Sequence, residues 1–263
     1  MKRIWLGLVS LSFLFAISAQ VVSAEEEENG MKQYFQDFFV SESCFVQDQR
    51  EVQLSLAPGF WDDKTVQMTQ LPLAFEYGIT DRLQFGAEVP LLKLAVKAGI
   101  DADSGEEISA SEQSGLGDVA AELKYGIFKE ENAALSAAVE VEFPTGDEKK
   151  GLGEGKTVYA PFLAYAHTIG KTQIHLSGGA ELQENAMAEY FYGLGTLCPL
   201  GSYVPTLELN GTKGDEPSTL YLTPGFVWVV REGLELGIAV PLGLTDESTA
   251  YGVTTQFVWE FMM

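Results

Sequence analysis

The chain is poor in the residue types that hold transition metals and bind nucleic acids. It contains only two cysteines, Cys44 and Cys198, and two histidines, His167 and His175, among its 263 residues. A zinc or copper site needs several such side chains close together, so no metal or other cofactor is expected. Lysine and arginine number 16 against 38 aspartates and glutamates, giving a formal net charge of −22. Because nucleic-acid binding depends on a basic surface, that class of partner is excluded.

After its first 24 residues the sequence also lacks an apolar run of the roughly 20 residues that a membrane-spanning helix needs. The opening stretch, MKRIWLGLVSLSFLFAISAQVVSA, has a basic pair, an apolar run ending near Ile17, and the small residues Ser23 and Ala24. This layout is typical of a secretory signal peptide, with an N-terminal membrane anchor as the alternative. We therefore predict that residues 1–24 direct export and are not part of the fold.

Residues 25–50 are predicted to form an acidic, amphipathic lead-in before the main domain. An acidic run, Glu25–Glu28, precedes the sequence MKQYFQDFFV at 31–40, where apolar residues fall at helical spacing. The pattern favours a short amphipathic helix or a poorly ordered segment. Such a segment would plug a lumen, lie on a membrane surface or pack on the domain.

From residue 51 to 263 the sequence has the period-two alternation of β-strands, in runs of about 9–12 residues. Tight turns such as 79–81 and 170–171 alternate with longer, acidic loops such as 93–116 and 145–155. A soluble sandwich has no reason to sort its loops in this way, whereas an outer-membrane barrel has short periplasmic turns and longer extracellular loops. We therefore predict an all-β fold, a transmembrane antiparallel β-barrel of about 12 strands. The predicted strands are 51–60, 66–77, 82–92, 117–128, 133–143, 157–168, 172–183, 189–197, 203–210, 219–230, 233–242 and 250–261.

Aromatic residues near the strand ends help to decide which face of the barrel meets lipid. Successive side chains of a strand point to opposite faces, so Leu73 and Phe75 share one face and Ala74 and Glu76 the other. Alternation alone also fits a soluble barrel with its apolar face inside. Export, the order of the loops and an aromatic girdle together place lipid outside. The residues predicted for the girdle are Phe60, Trp61, Tyr77, Tyr125, Phe128, Phe143, Trp228, Tyr251, Trp259 and Phe261. The face of strand 157–168 stays open, because Tyr159, Leu163 and Tyr165 compete with Phe162.

The opposite face then becomes a lumen in which acidic residues far outnumber basic ones. Such a lumen favours cations or neutral solutes over anions, because low-dielectric walls focus the field of the carboxylates. The alternative is that the acidic side chains only keep a polar interior hydrated. A barrel of this size lies between filled and water-conducting ones, so a narrow or partly plugged lumen is expected. The predicted lumen residues are Glu76, Glu88, Asp118, Glu122, Lys124, Glu140, Glu142, Glu181, Glu208, Glu235 and Glu260.

Three blocks of the sequence resemble a known family. SGLGDVAAELKYGIF (114–128), VEFPTGDEKKGLGEG (141–155) and TPGFVWVVREGLELGIAVPLGLTDES (223–248) are similar to outer-membrane transporters of the MetA-pathway phenol-degradation family. The resemblance covers about 66–261 and implies an outer-membrane β-barrel that passes small molecules, aromatic or hydrophobic ones among them. The end, YGVTTQFVWEFMM, resembles the strand that barrel-assembly machinery reads. Partners implied are this machinery, outer-membrane lipid and lipopolysaccharide, and a small solute.

Two hypotheses from other classes remain open. Ser177 and His175 share a strand face and would suit a nucleophile and base of an outer-membrane lipid hydrolase. A lumen histidine beside a lumen serine is the simpler interpretation, so no enzyme is predicted. The other hypothesis is an exported soluble or structural barrel without transport.

Two further features of the sequence would suit a disulfide and a calcium site, and the sequence decides neither. Cys44 and Cys198 both fall on the predicted periplasmic side, where an oxidising environment permits a disulfide; free thiols are the alternative. In the longest loop, Asp101, Asp103, Glu106 and Glu107 would suit calcium or the divalent ions of lipopolysaccharide, or would simply form a solvated acidic loop.

Overall fold

The computed structural model of the protein describes residues 31–35, 38–63, 65–100, 107–215 and 217–263. Within these ranges the chain forms a closed antiparallel β-barrel of twelve strands, as the sequence predicts. No helix in the described ranges has the length and apolar character needed to span a membrane. The predicted signal peptide 1–24, the Glu25–Glu28 run, and Asp101, Asp103 and Glu106 lie outside the described residues.

Nine of the strands are continuous and three are interrupted. β1 comprises Glu51–Leu56 and Gly59–Asp62, β4 comprises Ser111–Leu116 and Val119–Lys129, and β11 comprises Leu234–Ala239 and Leu242–Gly243. Pro58 and Pro241 lie in two of these gaps, where a residue without an N–H group interrupts the ladder of hydrogen bonds. The continuous strands are β2 (Val66–Thr80), β3 (Leu83–Val96), β5 (Ala133–Phe143), β6 (Val158–Ile169), β7 (Thr172–Gln183), β8 (Glu189–Leu197), β9 (Tyr203–Lys213), β10 (Thr219–Arg231) and β12 (Tyr251–Met262).

Each strand pairs with the next along the chain, and β12 pairs with β1 to close the barrel. In this last pairing Val52 lies opposite Phe261, and Leu56 lies opposite Phe257. Closure leaves no strand edge unpaired, which hydrocarbon surroundings require because they offer no hydrogen-bond partners to the backbone. The backbone N–H of Met263 donates to the carbonyl oxygen of Arg50 at 3.0 Å, so both ends of the barrel sequence meet at one rim.

The two rims differ in the length of their connections, as the alternation of loops predicts. The rim with the chain ends has tight turns between Thr80 and Leu83, at 130–132, at 170–171, at 198–202 and at 232–233. The opposite rim carries the longer loops, including 144–157 and 97–110. The latter extends into a small hairpin in which Gly99–Ile100 pairs with Glu107–Ile108. We refer to these as the tight-turn rim and the long-loop rim.

The outer face of the barrel is apolar across its whole height. On β6, Tyr159 and Leu163 point outward, Leu163 with 55% of its surface exposed, while Phe162 points inward and is buried. This resolves the face of the strand that the sequence leaves open. Exposed aromatic side chains lie toward both rims, among them Trp228 and Trp259 at the tight-turn rim and Tyr251 at the long-loop rim.

The prediction of an aromatic girdle at the lipid interface is wrong for one residue, Trp61. Trp61 points inward and is only 5% exposed. Its indole covers Gly59 and Gly252, because a Cβ built on either glycine would come within 3 Å of the Trp61 ring. Trp61 therefore packs against the inside of the wall near the long-loop rim and has no contact with lipid.

The segment before β1 enters the barrel and is not a helix. Its described residues, 31–35 and 38–50, have no helical structure, so the predicted amphipathic helix is wrong. Their apolar side chains are buried against the inner wall in two clusters. One contains Phe35, Phe38 and Phe39 with Val227 and Val258; the other contains Met31, Cys44 and Phe45 with Ala134, Ala138, Phe162, Ala164 and Ala166. We call these residues the plug segment.

Candidate functional site

Carboxylates are concentrated on the inner face of β2 to β5. Glu122 of β4 lies directly opposite Glu140 of β5, and Glu142 follows on the same face of β5. Glu76 of β2 and Glu88 of β3 belong to the same surface, and all five side chains are buried. We call this group the acidic wall: Glu76, Glu88, Glu122, Glu140 and Glu142.

One base lies within the acidic wall. The ammonium of Lys124, on β4, lies 3.5 Å from Oε1 of Glu122, and both side chains are almost completely buried. The same Nζ lies 6.0 Å from the centre of the Phe162 ring. A buried charge needs a partner of opposite sign, and the pairing gives Lys124 that partner inside the wall.

The plug segment is held at its tip by a single carboxylate of the opposite wall. Glu208, near the middle of β9, accepts hydrogen bonds from the backbone N–H groups of Phe39, Val40 and Ser41, at 2.8, 2.8 and 2.7 Å. Nδ2 of Asn210 also donates to Oγ of Ser41, at 2.8 Å. Hydrogen bonds to a charged acceptor are the stronger kind, and three on one carboxylate make Glu208 the main polar anchor of the tip.

Glutamine side chains hold the two arms of the plug segment nearer the tight-turn rim. On one arm, Nε2 of Gln173 donates to the carbonyl oxygen of Lys32. On the other, the backbone N–H of Gln47 donates to Oε1 of Gln84 at 2.8 Å, and Nε2 of Gln84 donates in turn to Glu76 at 2.7 Å. The segment is therefore a loop that enters from the tight-turn rim, turns at 39–42 and returns to β1.

Glu42 brings a further carboxylate to the tip of the plug segment. Burial raises its pKa to about 8, against a partial opposing effect of Lys124 and with further increases from Glu122 and Glu76. The carboxyl group of Glu42 is therefore mostly protonated at neutral pH. Sequence analysis did not select this residue, because nothing in the local pattern of 31–50 shows that the segment enters a lumen.

Asp118 anchors a loop of the long-loop rim. Its Oδ1 accepts from the N–H of Gly146 and its Oδ2 from the N–H of Glu154, both at 2.7 Å. Thr145 adds two bonds, accepting from the N–H of Val119 and donating to the carbonyl oxygen of Gly117. A Cβ at Gly153 would lie 2.4 Å from Oδ1 of Asp118, so the carboxylate requires glycine there. The PTGDEKKGLGEG motif thus encodes a fixed loop, and Asp118 acts at its base.

The same loop contains a single 3₁₀ turn, Glu148–Lys150, capped by Asp147. The ammonium of Lys150 lies 3.2 Å from Oδ2 of Asp147. The hydrogen bond from Lys150 lowers the pKa of Asp147, so this cap stays ionised at neutral pH. The buried side chain of Leu152 packs toward Gly115 on β4 and closes the loop onto the barrel.

A cavity lies between the plug tip and the long-loop rim. It holds about 690 Å³ of empty space, part of it open to solvent. Val40 and Glu42 of the plug form one side, and the barrel wall forms the others. The wall contributes carboxylates and aromatic rings together with small polar groups: Glu140, Glu181, Phe162, Phe191, Tyr221, Ser177, Asn210, Thr212 and Thr219 among them.

The remaining predicted lumen residues do not join the acidic wall. Glu181 of β7 is half-buried and lines the cavity. Glu235 of β11 lies on the far wall, opposite the buried Val229 and Val258, and neither of its oxygens has a hydrogen-bond partner among the described residues. Glu260 of β12 is buried near the tight-turn rim, where its backbone N–H donates to the carbonyl oxygen of Gly233.

The structure records no disulfide between Cys44 and Cys198, and the bond that the sequence permits stays a prediction. Cys44 is buried in the plug, in the cluster that contains Ala134 of β5, whereas Cys198 lies after β8, where its N–H donates to the carbonyl oxygen of Pro205. The two residues thus pack with different strands of the wall.

His175 and Ser177 share a face of β7 but have different surroundings. The ring of His175 lies edge-on to Phe38 and Phe45 of the plug, with centroids 4.8 and 5.8 Å away. Its Nε2 lies 3.4 Å from Oε1 of Gln173, while Ser177 faces the cavity. The histidine therefore packs the plug against the wall, and the structure gives it no contact with the serine of the kind that nucleophile activation needs. Among the described residues, no group of His, Cys, Asp and Glu has an arrangement that could hold a metal ion.

Comparison with known proteins identifies a family for this chain and structures of similar fold. A family model described as "Putative MetA-pathway of phenol degradation" matches residues 64–261. The fold is similar to that of an outer-membrane channel from Pseudomonas putida F1, with a TM-score of 0.67 and 17% identity over 83% of this chain and 98% of that one. It is also similar to KdgM porin, with a TM-score of 0.56 and 9% identity over 80% of this chain and 99% of that one. No curated protein sequence matches the chain significantly.

Proposed function

Because the chain belongs to the family described as "Putative MetA-pathway of phenol degradation", we propose that it is an outer-membrane channel for small solutes. The observation that carries the proposal is a closed barrel whose exposed face is apolar and whose buried face is lined with carboxylates. Such a protein has a wall suited to lipid and an interior suited to polar or charged groups. The matched family and the P. putida channel of similar fold support the same function.

The proposed path runs from the long-loop rim through the cavity and past the plug segment. The acidic wall outweighs Lys124 on this path, which supports selection of cations and neutral solutes over anions. The residues proposed to set this selectivity are Glu76, Glu88, Glu122, Lys124, Glu140, Glu142 and Glu181. Glu208 and Asp118 serve instead to hold the plug and the 145–155 loop.

Passage of a solute requires a displacement of the plug segment. Its tip is tied to β9 through Glu208, and its arms are packed in two apolar clusters. A barrel closed in this way has a low conductance for ions at rest. We infer that the plug moves aside for a solute already bound in the cavity.

Placement in the cell follows from the same features. We propose that residues 1–24 act as a signal peptide, that 25–50 form the lead-in that includes the plug, and that 51–263 form the barrel. The aromatic outer face of β12, with Phe257 and Trp259 exposed, suits recognition by barrel-assembly machinery. Lipid and lipopolysaccharide of the outer membrane are then the immediate surroundings of the barrel.

Conductance across a planar bilayer tests this function. Refolded protein without residues 1–24 is inserted and a salt gradient is applied, so that the reversal potential reports the selectivity. We expect a preference for cations that weakens in the double variant Glu140→Gln/Glu142→Gln. Glu131→Gln, an exposed site on a tight turn, is the matched control and leaves the reversal potential unchanged. Anion selectivity contradicts the proposal. So does a barrel that inserts but conducts no ions even after the hydrogen bonds between Glu208 and the plug tip are removed.

A further inference from the structure

The cavity at the plug tip combines features that point to one class of ligand. Two aromatic rings of its wall, Phe162 and Phe191, lie edge to face with centroids 6.2 Å apart. Around them are carboxyl groups from three directions: Glu140 from β5, Glu181 from β7, and from the plug Glu42, which is mostly protonated and offers its carbonyl oxygen as an acceptor. Aromatic faces and carboxylates both attract cations, while the rings also offer an apolar surface.

Two buried acceptors of the cavity lack a hydrogen-bond donor among the described residues. Oε2 of Glu140 has no partner, and the Glu140 side chain is only 4% exposed. Oδ1 of Asn210 has none either, although Nδ2 of the same amide donates to Ser41, and Asn210 is 7% exposed. A buried polar atom without a partner is costly, so a ligand that donates to these atoms gains affinity. These two oxygen atoms therefore favour a ligand with several hydrogen-bond donors.

Neighbouring charges do not neutralise the cavity. None of the described residues that line it is basic. Lys124 lies next to the Phe162 ring but is already paired with Glu122. The carboxylate of Glu142 follows Glu140 on the same strand face and adds negative potential, whereas the charge of Glu122, opposite Glu140 across the ladder, is offset by Lys124. A positive charge entering the cavity is therefore attracted from several sides.

We propose that this cavity is a binding site for small arylalkyl amines in their protonated form, in which a short chain joins an ammonium group to an aromatic ring. The ammonium group supplies three donors, which match the acceptors of Glu140, Asn210 and Glu42. The ring of the ligand packs against Phe162 and Phe191. This inference rests on the proposed channel function and names a solute class for it.

Titration calorimetry of the refolded barrel in a non-ionic detergent tests the site directly. Three probes of nearly equal size are compared at pH 7.5: 2-phenylethylamine, a cation; 2-phenylethanol, neutral; and phenylacetate, an anion. We expect the amine to bind about tenfold more tightly than the alcohol, because bonds between charged groups are roughly twice as strong as neutral ones. Phenylacetate binds most weakly.

Variants separate the charge from the aromatic surface. Glu140→Gln weakens amine binding by about tenfold and leaves the alcohol unchanged, because it removes a charge but little volume. Phe191→Ala weakens both probes. Glu112→Gln, at an exposed residue in the first part of β4, Ser111–Leu116, is the control and changes the affinity for neither probe. If Glu140→Gln does not refold, Glu181→Gln, which is half-buried nearer the long-loop rim, replaces it with the same expectation.

The outcomes distinguish this site from the channel function. Equal binding of amine and alcohol, tighter binding of phenylacetate, or an amine affinity that Glu140→Gln leaves unchanged would overturn the proposed site. A barrel that conducts in a bilayer but fails in calorimetry keeps the channel and loses the site. A barrel that binds the amine but never conducts keeps the site and loses the channel.

Discussion

The backbone N–H of Ser41 donates to Oε2 of Glu208 at 2.7 Å, although the two residues are separated by 167 positions in the sequence. The neighbouring N–H groups of Phe39 and Val40 bind the same carboxylate. The turn at the plug tip has no hydrogen-bonded secondary structure of its own, so a side chain of β9 satisfies its donors. The backbone of the plug tip is therefore held by one ionisable residue.

Replacing Glu208 by glutamine is expected to loosen the plug. A neutral amide accepts on one atom only: with its oxygen in the place of Oε2 the bond from Phe39 is lost, and the bonds from Val40 and Ser41 lose their charged acceptor. A hydrogen bond to a charged group contributes about 1.5–3 kcal/mol. We expect more frequent or larger conductance steps in a bilayer, and faster amide hydrogen exchange at 39–41. Glu235→Gln is the matched control, because Glu235 is equally buried but its carboxyl oxygens have no hydrogen bond among the described residues. Unchanged exchange at 39–41 would show that the apolar clusters alone hold the tip.

Removing the Asp118 carboxylate is expected to free the loop at 145–155. Asp118→Ala leaves the N–H groups of Gly146 and Glu154 without their acceptor, while the strand around it keeps its backbone pairing. Limited proteolysis of the inserted protein should then cut within this loop at least several-fold faster than in the parent. Glu112→Gln, in the first part of β4, serves as the control. Equal cleavage of both variants contradicts the role given to Asp118.

The stability contributed by the plug should fall as the pH rises. The pKa of Glu42 is raised by burial to about 8, above its ordinary value of 4.5, so the folded state binds this proton more tightly than the unfolded chain. Stability from this group is complete below about pH 4.5 and is lost progressively toward pH 8. Thermal unfolding at pH 5 and pH 9 measures the effect. The melting temperature of the parent should fall more between pH 5 and pH 9 than that of Glu42→Gln, because the glutamine side chain does not titrate. An identical pH dependence in the two proteins would contradict the burial of this group.

A charge on the outer face is expected to hinder insertion. Leu163 lies at the middle of β6 and is exposed, and an arginine at the bilayer midplane costs about 2–4 kcal/mol. Leu163→Arg should therefore refold into lipid vesicles with a markedly lower yield. Glu130→Arg, on a tight turn at the rim, is the control and refolds normally. A soluble barrel, the alternative left open by the sequence, would tolerate both substitutions equally.

The strands were predictable because their signals are local. Alternation with a period of two decides which side chains share a face, and turn residues mark where a strand ends, so the twelve predicted runs agree with the twelve strands to within a few residues at most ends. The faces of Leu73 and Glu76 follow from position alone. The face of β6 did not follow, because its inner side chains are themselves apolar where the plug covers them.

The roles within the candidate site were much less predictable. Glu208, Asp118 and Glu140 are all acidic residues toward the interior, and their sequence surroundings do not distinguish an anchor of the plug, an anchor of a loop and a member of the cavity wall. Trp61 was expected at the lipid interface for the same reason: its type and position near a strand end fit, but its packing on Gly59 and Gly252 depends on residues far apart in the chain.

By itself the sequence determined that this protein is a barrel with an apolar face and an acidic face, because chain length, turn chemistry and alternation are properties of neighbouring residues. Only the tertiary structure decided that residues 31–50 fill the interior, that Glu208 holds them, and that a cavity with unpaired acceptors remains beyond their tip. These features arise from contacts across more than a hundred positions, which closure of the barrel brings together and which no local pattern records.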